Sequence, residues 1–236
     1  MSTRLLRRTI PTALTTLLAM LVAPAAHADP VTATVSVSGS TSGSASAFKA
    51  TSIGSVAFTA SASGGGSASW SCTSAVLSGS VLPGVTDNAH TFATIDHTGG
   101  SWSGCTMIGL NFAVTQNADW HIGITGANST DATSGDSMTP VIIPDVDATM
   151  SDTNAGGTLC EFRITGSMTG TFDNNTQELD VTGSNLMTDI DPNNTGANCL
   201  GALADPGTMT FTGAFDITND PASGTPTHLP VSVTNP

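Results

Sequence analysis

Apolar and polar residues alternate with a period of two along much of the chain. In the first such segment Ala33, Val35 and Val37 alternate with serine and threonine, which places the apolar side chains on one face of an extended strand. Beyond residue 28 we find no convincing helical period. The pattern therefore predicts an all-β protein.

Two segments in the first half are predicted to pair as a hairpin. Leu110, Phe112 and Val114 share one face, and Trp120 begins a second apolar face after a mainly polar turn, residues 116–119. Polar residues of this kind between two alternating runs are typical of a turn. We therefore expect the two runs to be antiparallel neighbours.

A second pair of strands is predicted in the second half. Phe162, Ile164 and Met168 lie on one face together with Cys160, which should point into the core. Residues 173–176 form a turn signal, and alternation resumes around Leu179, so these segments should pair directly. A further long strand contains Met209, Phe211, Phe215 and Ile217, and Gly213 on the same face suggests a bulge or a close approach of another backbone.

Other segments interrupt the alternation. Residues 131–158 contain Pro140, Pro144 and several aspartates, and are predicted to form a long loop. A strand is expected around Val56 and Phe58, and the serine- and glycine-rich segments 39–45 and 64–66 should be flexible. The proline-rich end, residues 221–236, should hold at most one edge strand, containing Val231 and Val233. About ten strands with frequent turns predict an antiparallel β-sandwich or a Greek-key barrel-like domain.

The first 28 residues have the three parts of a secretory signal. Basic residues come first, an apolar run follows, and residues 26–28 supply small residues for cleavage after Ala28. A retained membrane anchor is the weaker alternative, because the apolar run is shorter than the roughly 20 residues that cross a bilayer. We therefore expect residues 29–236 to form a single extracellular β domain, with no membrane span after processing.

The charge balance excludes several kinds of partner. The whole chain has a formal charge of −13, and loss of the signal leaves two basic residues, Lys49 and Arg163, against 18 acidic ones, or −16. Nucleic-acid binding needs clustered cations and is excluded. So acidic a surface also disfavours anionic partners.

The four cysteines lie beyond the signal, in a compartment where disulfides persist. Four thiols allow three pairings. We favour Cys72 with Cys105 and Cys160 with Cys199, because these pairings close the shortest loops and cost the least entropy to form. A zinc site is disfavoured, because no two cysteines are closely spaced.

Catalytic groups are not marked by any motif. His90, His97 and His121 are possible bases, and Asp87, Asp96 or Asp119 lie near them in sequence, as a hydrolase triad would need. No Gly-x-Ser-x-Gly elbow occurs, and no glycine loop for a nucleotide cofactor is present. We expect His121 to face solvent, and we predict neither catalytic residues nor a cofactor.

Acidic residues offer two further kinds of site. Glu161 and Glu178 could act as paired carboxylates, although Glu161 is better read as a surface residue in an ion pair with Arg163. Calcium is the better acidic hypothesis, although no calcium motif is matched. The oxygen ligands would come from Asp145 with Asp147, Asp189 with Asp191, and residues 173–175.

The three tryptophans are the residues most suited to a recognition face, because aromatic rings stack on sugars and apolar ligands. The pattern favours the core instead. Trp70 shares a face with Cys72, and Trp102 is close to Cys105, so both could pack against the first disulfide. Trp120 heads an apolar face.

Several short runs carry a family resemblance. These are residues 72–74, residues 104–110, Asp119 with Trp120, Cys160, and residues 198–201. They resemble small secreted four-cysteine proteins of actinobacteria and, more distantly, secreted activators of alkane oxidation. The resemblance covers about residues 70–217, carries over no catalytic residue, and implies an extracellular accessory role.

We therefore expect a secreted, non-catalytic protein that acts at the cell surface or in the medium by contact with a partner, a polymer or an apolar substrate. Two alternatives remain open. One is a secreted hydrolase that uses one of the three histidines with an unrecognised serine, and the other is a carbohydrate-binding module.

Overall fold

A computed structural model describes residues 32–87, 91–154, 159–190, 199–219 and 227–235. The predicted signal, residues 1–28, and His90 lie outside these residues. The described residues form the following strands: β1 (Thr32–Val37), β2 (Ser46–Ser52), β3 (Val56–Ser61), β4 (Ser67–Cys72), β5 (Ser74–Val81), β6 (Gly84–Asp87), β7 (Thr91–Ile95), β8 (Ser101–Ser103), β9 (Cys105–Met107), β10 (Leu110–Gln116), β11 (Trp120–Ile124), β12 (Ser129–Thr130), β13 (Ser137–Asp152), β14 (Glu161–Asp173), β15 (Glu178–Asp189), β16 (Gly207–Asn219) and β17 (Val231–Thr234).

The protein is all-β and antiparallel, as the alternation predicts. The predicted strands around Val35, Val56 and Phe58 are present, and β14 pairs with β15 through the expected turn. The single strand expected near the C-terminus is β17, at the edge of a small sheet. Residues 39–45 and 64–66 lie in exposed turns and bends, and their flexibility stays a prediction.

Four long strands form the centre of the fold, and their outer partners change halfway along. Strands β13, β14, β15 and β16 pair in that order. At one end of this sheet β16 pairs with β2 and β13 with β11, and at the other end β16 pairs with β3 and β13 with β10. The two outer long strands, β13 and β16, therefore each have one neighbouring strand at one end of the sheet and a different one at the other end.

The ladder closes on itself at both ends. Strands β2, β5, β7 and β11 complete one ring with the long strands, which we call ring A. Strands β3, β4, β9 and β10 complete the other, which we call ring B. Closure removes the exposed edges at which strands of other chains could add. The barrel-like expectation thus describes each half of the domain.

Two sequence predictions are wrong, and both errors concern strand β13. The segments at β10 and β11 are not a hairpin, because both pair with β13, one after the other. Residues 137–152 are not a loop but this longest strand, β13. Its register shifts between Ile143 and Val146, and Pro144 lies in that irregularity, where a ladder need not receive a backbone N–H.

A second, small sheet of strands β17, β1 and β6 covers one end of ring A. Val231 of β17 lines the same small space as Phe48, Phe92 and Phe172 of ring A. The outer edge of β17 is satisfied by side chains: Gln177 exchanges two hydrogen bonds with the Val231 backbone, and Asn174 accepts from the Val233 N–H. Amide side chains thus replace a neighbouring strand.

Both disulfides form as predicted. Cys72 bonds to Cys105 and Cys160 to Cys199, closing loops of 33 and 39 residues. All four sulfurs belong to one core that runs through both rings. Ring B holds an aromatic cluster in which Phe58 stacks on Trp70 at 5.5 Å and Trp70 meets the edge of Phe162 at 5.7 Å between ring centroids.

Glycines occur where strands approach too closely for a side chain. A Cβ on Gly170 of β14 would lie 2.1 Å from the Asp180 carbonyl oxygen of β15. At Gly213, a Cβ would meet the side-chain Cγ1 of Val56 at 2.7 Å, so a side chain and not the predicted backbone approaches this glycine. The register between β15 and β16 shifts next to Gly213, which agrees with the bulge alternative.

We predict that Gly170→Ala lowers the free energy of unfolding by about 1–3 kcal/mol, because the strands must move apart to admit the methyl group. Gly64→Ala is the matched control, because nothing lies within 4 Å of its Cβ position, and it should stay within about 0.5 kcal/mol of the wild type. Urea unfolding followed by tryptophan fluorescence measures both. Equal stabilities would contradict the close approach.

Candidate functional site

Histidine–aspartate pairs gather on the outer surface where β13 changes partners. The Nδ1 atom of His97 lies 2.6 Å from Asp119 Oδ1, and the backbone N–H of His97 donates to the same oxygen at 2.8 Å. Next to this pair, His121 contacts the Asp145 carboxylate through its ring Nδ1 and its backbone N–H. Asp145 lies in the bulge of β13, which turns its side chain towards β11.

The first pair has a defined protonation pattern. The His97 backbone N–H, and then its ring, hold the pKa of Asp119 below its ordinary value. An ionised carboxylate can only accept hydrogen bonds, so Nδ1 of His97 carries the proton. When the ring is neutral, its Nε2 atom is then a hydrogen-bond acceptor.

The structure assembles these pairs only in part as the sequence suggested. His97 with Asp119 was among the expected combinations, whereas Asp145, the partner of His121, was not. Asp145 lies 24 residues from His121, and only the β11–β13 pairing brings them together. His121 is partly exposed, in agreement with its predicted orientation. Within the described ranges, no hydrogen bond joins a histidine ring to a serine hydroxyl.

A second ionic group lies beside the histidines. Arg163 donates to Asp147 through Nε at 2.8 Å and through Nη2 at 2.6 Å, and Asn117 donates to the same carboxylate at 2.9 Å. The predicted Glu161–Arg163 pair is therefore wrong: Glu161 instead accepts from the Ser151 hydroxyl at 2.6 Å. Arg163 pairs with Asp147 because the two oxygens of this carboxylate accept from two nitrogens of the guanidinium group at once.

The two glutamates lie too far apart to act as a catalytic pair. Glu161 begins β14, whereas Glu178 faces Asp173 at the other end of that strand. Twelve residues of ladder separate them by about 40 Å at strand spacing, whereas catalytic carboxylates are about 5–9.5 Å apart. Burial, followed by the charges of Asp180, Asp173 and Asp216, raises the pKa of Glu178.

The residues proposed for calcium are engaged in other contacts. Asp145 contacts His121, Asp147 binds Arg163, and Asp173 accepts from the backbone N–H groups of residues 175 and 176. Asp191 lies outside the described residues. In the part of the chain that the structure describes, no three histidine, cysteine or acidic residues converge to hold a metal ion.

The tryptophans belong to the interior rather than to a recognition face. Trp70 is 5% exposed and Trp120 is 4% exposed. Trp102, on β8, packs against the core and lies 6.1 Å from Phe58 between ring centroids. Trp120 also donates from Nε1 to the Asp147 carbonyl oxygen at 3.2 Å, so it helps to hold β13 beneath the histidines.

The rings have filled interiors. Their apolar cavities measure about 20–30 Å³ each, which is close to the volume of one water molecule. A much larger space of about 650 Å³ lies on the outside, as an open groove between the turn joining β14 to β15 and the strands β1 and β17. Nothing in the sequence pattern pointed to this groove.

A buried aspartate organises the chain near the second disulfide. Asp152, 6% exposed, accepts from the backbone N–H groups of Cys160 at 2.7 Å and Asn154 at 3.1 Å, and from that of Leu159. Burial acts to raise its pKa, but these donors prevail, so its pKa is lowered. The carboxylate thus fixes the backbone that leads into Cys160.

No helix among the described residues has the length and apolar character needed to cross a membrane. Comparison with protein-family models, with curated proteins and with solved structures finds no match. The resemblance to secreted four-cysteine proteins and alkane-oxidation activators stays a prediction.

We predict that Arg163→Met raises the pKa of Asp147, because the hydrogen bond from Arg163 is the main cause of its lowered value. Carboxyl chemical shifts followed by NMR through an acid titration measure this change. Asp131 is the internal control, because the backbone N–H groups of Ser134 and Thr133 lower its pKa. An unchanged Asp147 titration would show that Arg163 does not hold this carboxylate.

We predict that Asp152→Asn costs about 1–3 kcal/mol of unfolding free energy at pH 7, because the amide leaves buried N–H groups poorly paired. A lowered folded-state pKa contributes stability above the unfolded-state pKa, and that stability is lost as pH falls through the folded-state pKa. The difference between wild type and variant should therefore shrink at pH 2. Urea unfolding at both pH values tests this, with the exposed Asp96→Asn as control.

Proposed function

We propose that this protein is a secreted, non-catalytic accessory protein that acts at the cell surface or in the medium by contact. The observation that carries the proposal is the filled interior of both rings. Cavities of about 20–30 Å³ offer no room for an organic substrate, since ligand pockets measure about 300–1,000 Å³. These small cavities support contact with a partner or polymer on the outer surface.

Charge and covalent structure support an extracellular place of action. Two disulfides lie in the core, and disulfides persist in oxidising compartments. The expected formal charge of −16 after processing keeps an exported chain soluble without cationic patches. Ring closure also protects the strands from adding to other chains.

A secreted hydrolase is the second candidate, and the histidine–aspartate pairs are the observation that favours it. Each pair has the orientation in which a carboxylate holds a general base. The side chains of both pairs are partly exposed, between 40% and 49%. Because no described hydrogen bond joins either histidine ring to a serine hydroxyl, the nucleophile of such a hydrolase would be a group that these hydrogen bonds do not include.

One experiment separates the two candidates. The full chain is expressed with its own leader, and the culture is divided into cells, cell-surface wash and medium. We expect the mature protein in the wash or medium, starting at Asp29 and without free thiols by mass spectrometry. Chromogenic ester, peptide and glycoside substrates should show no turnover above buffer.

The histidine variants make this result decisive. Turnover that disappears in His97→Gln or His121→Gln would replace the contact proposal with the hydrolase. Thr115→Gln is the matched control, because Thr115 is an exposed residue of the neighbouring strand β10. Retention of the chain in the cytoplasm with reduced cysteines would overturn the extracellular role.

A further inference from the structure

The groove on the outside of the small sheet has a rigid floor. Gln177, 5% exposed, donates to the Val231 carbonyl oxygen at 2.9 Å and accepts from the Val231 N–H at 2.8 Å. Asn174 accepts from the Val233 N–H at 2.7 Å and donates to the Thr139 hydroxyl at 2.9 Å. These contacts hold β17 against the turn of β14 and β15, so a ligand in the groove meets a preorganised surface.

Three hydroxyl groups that line the groove have no hydrogen-bond partner among the residues that the structure describes. Ser36 and Ser232 are directly opposite each other in the β1–β17 ladder, and both line the groove. Residues paired in this way have Cβ atoms about 4.5–5.5 Å apart. Neither hydroxyl makes a hydrogen bond among the described residues, and the same holds for exposed Thr176 across the groove.

The groove is also neutral in a strongly acidic protein. Among the described residues, its lining contains no lysine, arginine, aspartate or glutamate. The only titratable side chain of this described lining is that of His228, with Nδ1 3.1 Å from Asp216 Oδ1. Exposed Pro230 adds an apolar surface beside the hydroxyls. A charged ligand would find no counter-charge among these lining residues, whereas a neutral ligand needs none.

We propose that this groove binds a neutral saccharide, as a free oligosaccharide or as part of a polysaccharide. Sugar hydroxyls both donate and accept, and so match the paired hydroxyls of Ser36 and Ser232, while the C–H face of a sugar ring suits Pro230. The space of about 650 Å³ is large enough for a short oligosaccharide. This inference rests on the proposed contact function and names the chemical class of its ligand.

The test must not depend on tryptophan fluorescence, because the lining contains no tryptophan. The full secreted protein is instead run in native gels that contain starch, mixed-linkage β-glucan or galactomannan, and is pulled down with microcrystalline cellulose. We expect retardation or capture by at least one of these neutral polymers, which persists in 0.5 M NaCl.

The double variant Ser36→Ala and Ser232→Ala locates the site. It should weaken binding about tenfold, because two hydroxyls lose their contacts with the sugar. The matched control is Thr32→Ala with Thr34→Ala, on the same strand and outside the groove, and it should bind as the wild type does. Circular dichroism checks that all three proteins are folded.

The outcomes separate the groove from the wider function. Binding that is unchanged in the double variant overturns the groove as the site, and so does binding lost equally in the control. The proposal that the groove binds a saccharide is overturned if none of the polymers binds and if 10 mM maltotriose or cellotriose causes no NMR shifts at Ser36 and Ser232. In either case the contact function stands unless the activity screen above shows turnover.

Discussion

The structure depends on one constraint: every long strand must find hydrogen-bond partners along its whole length. Strands β13 to β16 are too long for one ring of short neighbours, so β13 and β16 each change partner halfway. The changes fall at register shifts, where β13 and β15 carry irregularities. Because the ladder closes at both ends, the strands of both rings have neighbours for their backbone polar groups, and a single apolar core runs through both rings.

Closure also decides where chemistry can take place. The core side chains occupy the ring interiors, and the histidine–aspartate pairs and Arg163 lie at partly exposed positions outside them. The bulge in β13 brings Asp145 to His121, and the same strand supplies Asp147 to Arg163. The small sheet, which covers the end of ring A, creates the groove with the turn of β14 and β15. Both candidate surfaces therefore arise where the regular ladder is interrupted or capped.

Local pattern predicted individual strands well and their partners less well. The β14–β15 pair was predictable because its turn is short and its alternation is strong. The β10–β11 hairpin failed because two apolar runs joined by a turn need not pair when a third strand lies beside both. Residues 137–152 were predicted as a loop because Pro140 and Pro144 obscure a strand that only its neighbours stabilise.

The sequence by itself determined the all-β class, the burial of Cys160 and of Trp70, and both disulfides, because these depend on alternation and on loop length along the chain. Only the tertiary structure decided the double ring, the pairing of His121 with Asp145, and the groove between Ser36, Ser232 and Thr176. The physical reason is that strand pairing joins residues far apart in the chain, and a period of two says which way a side chain points but not which strand lies beside it.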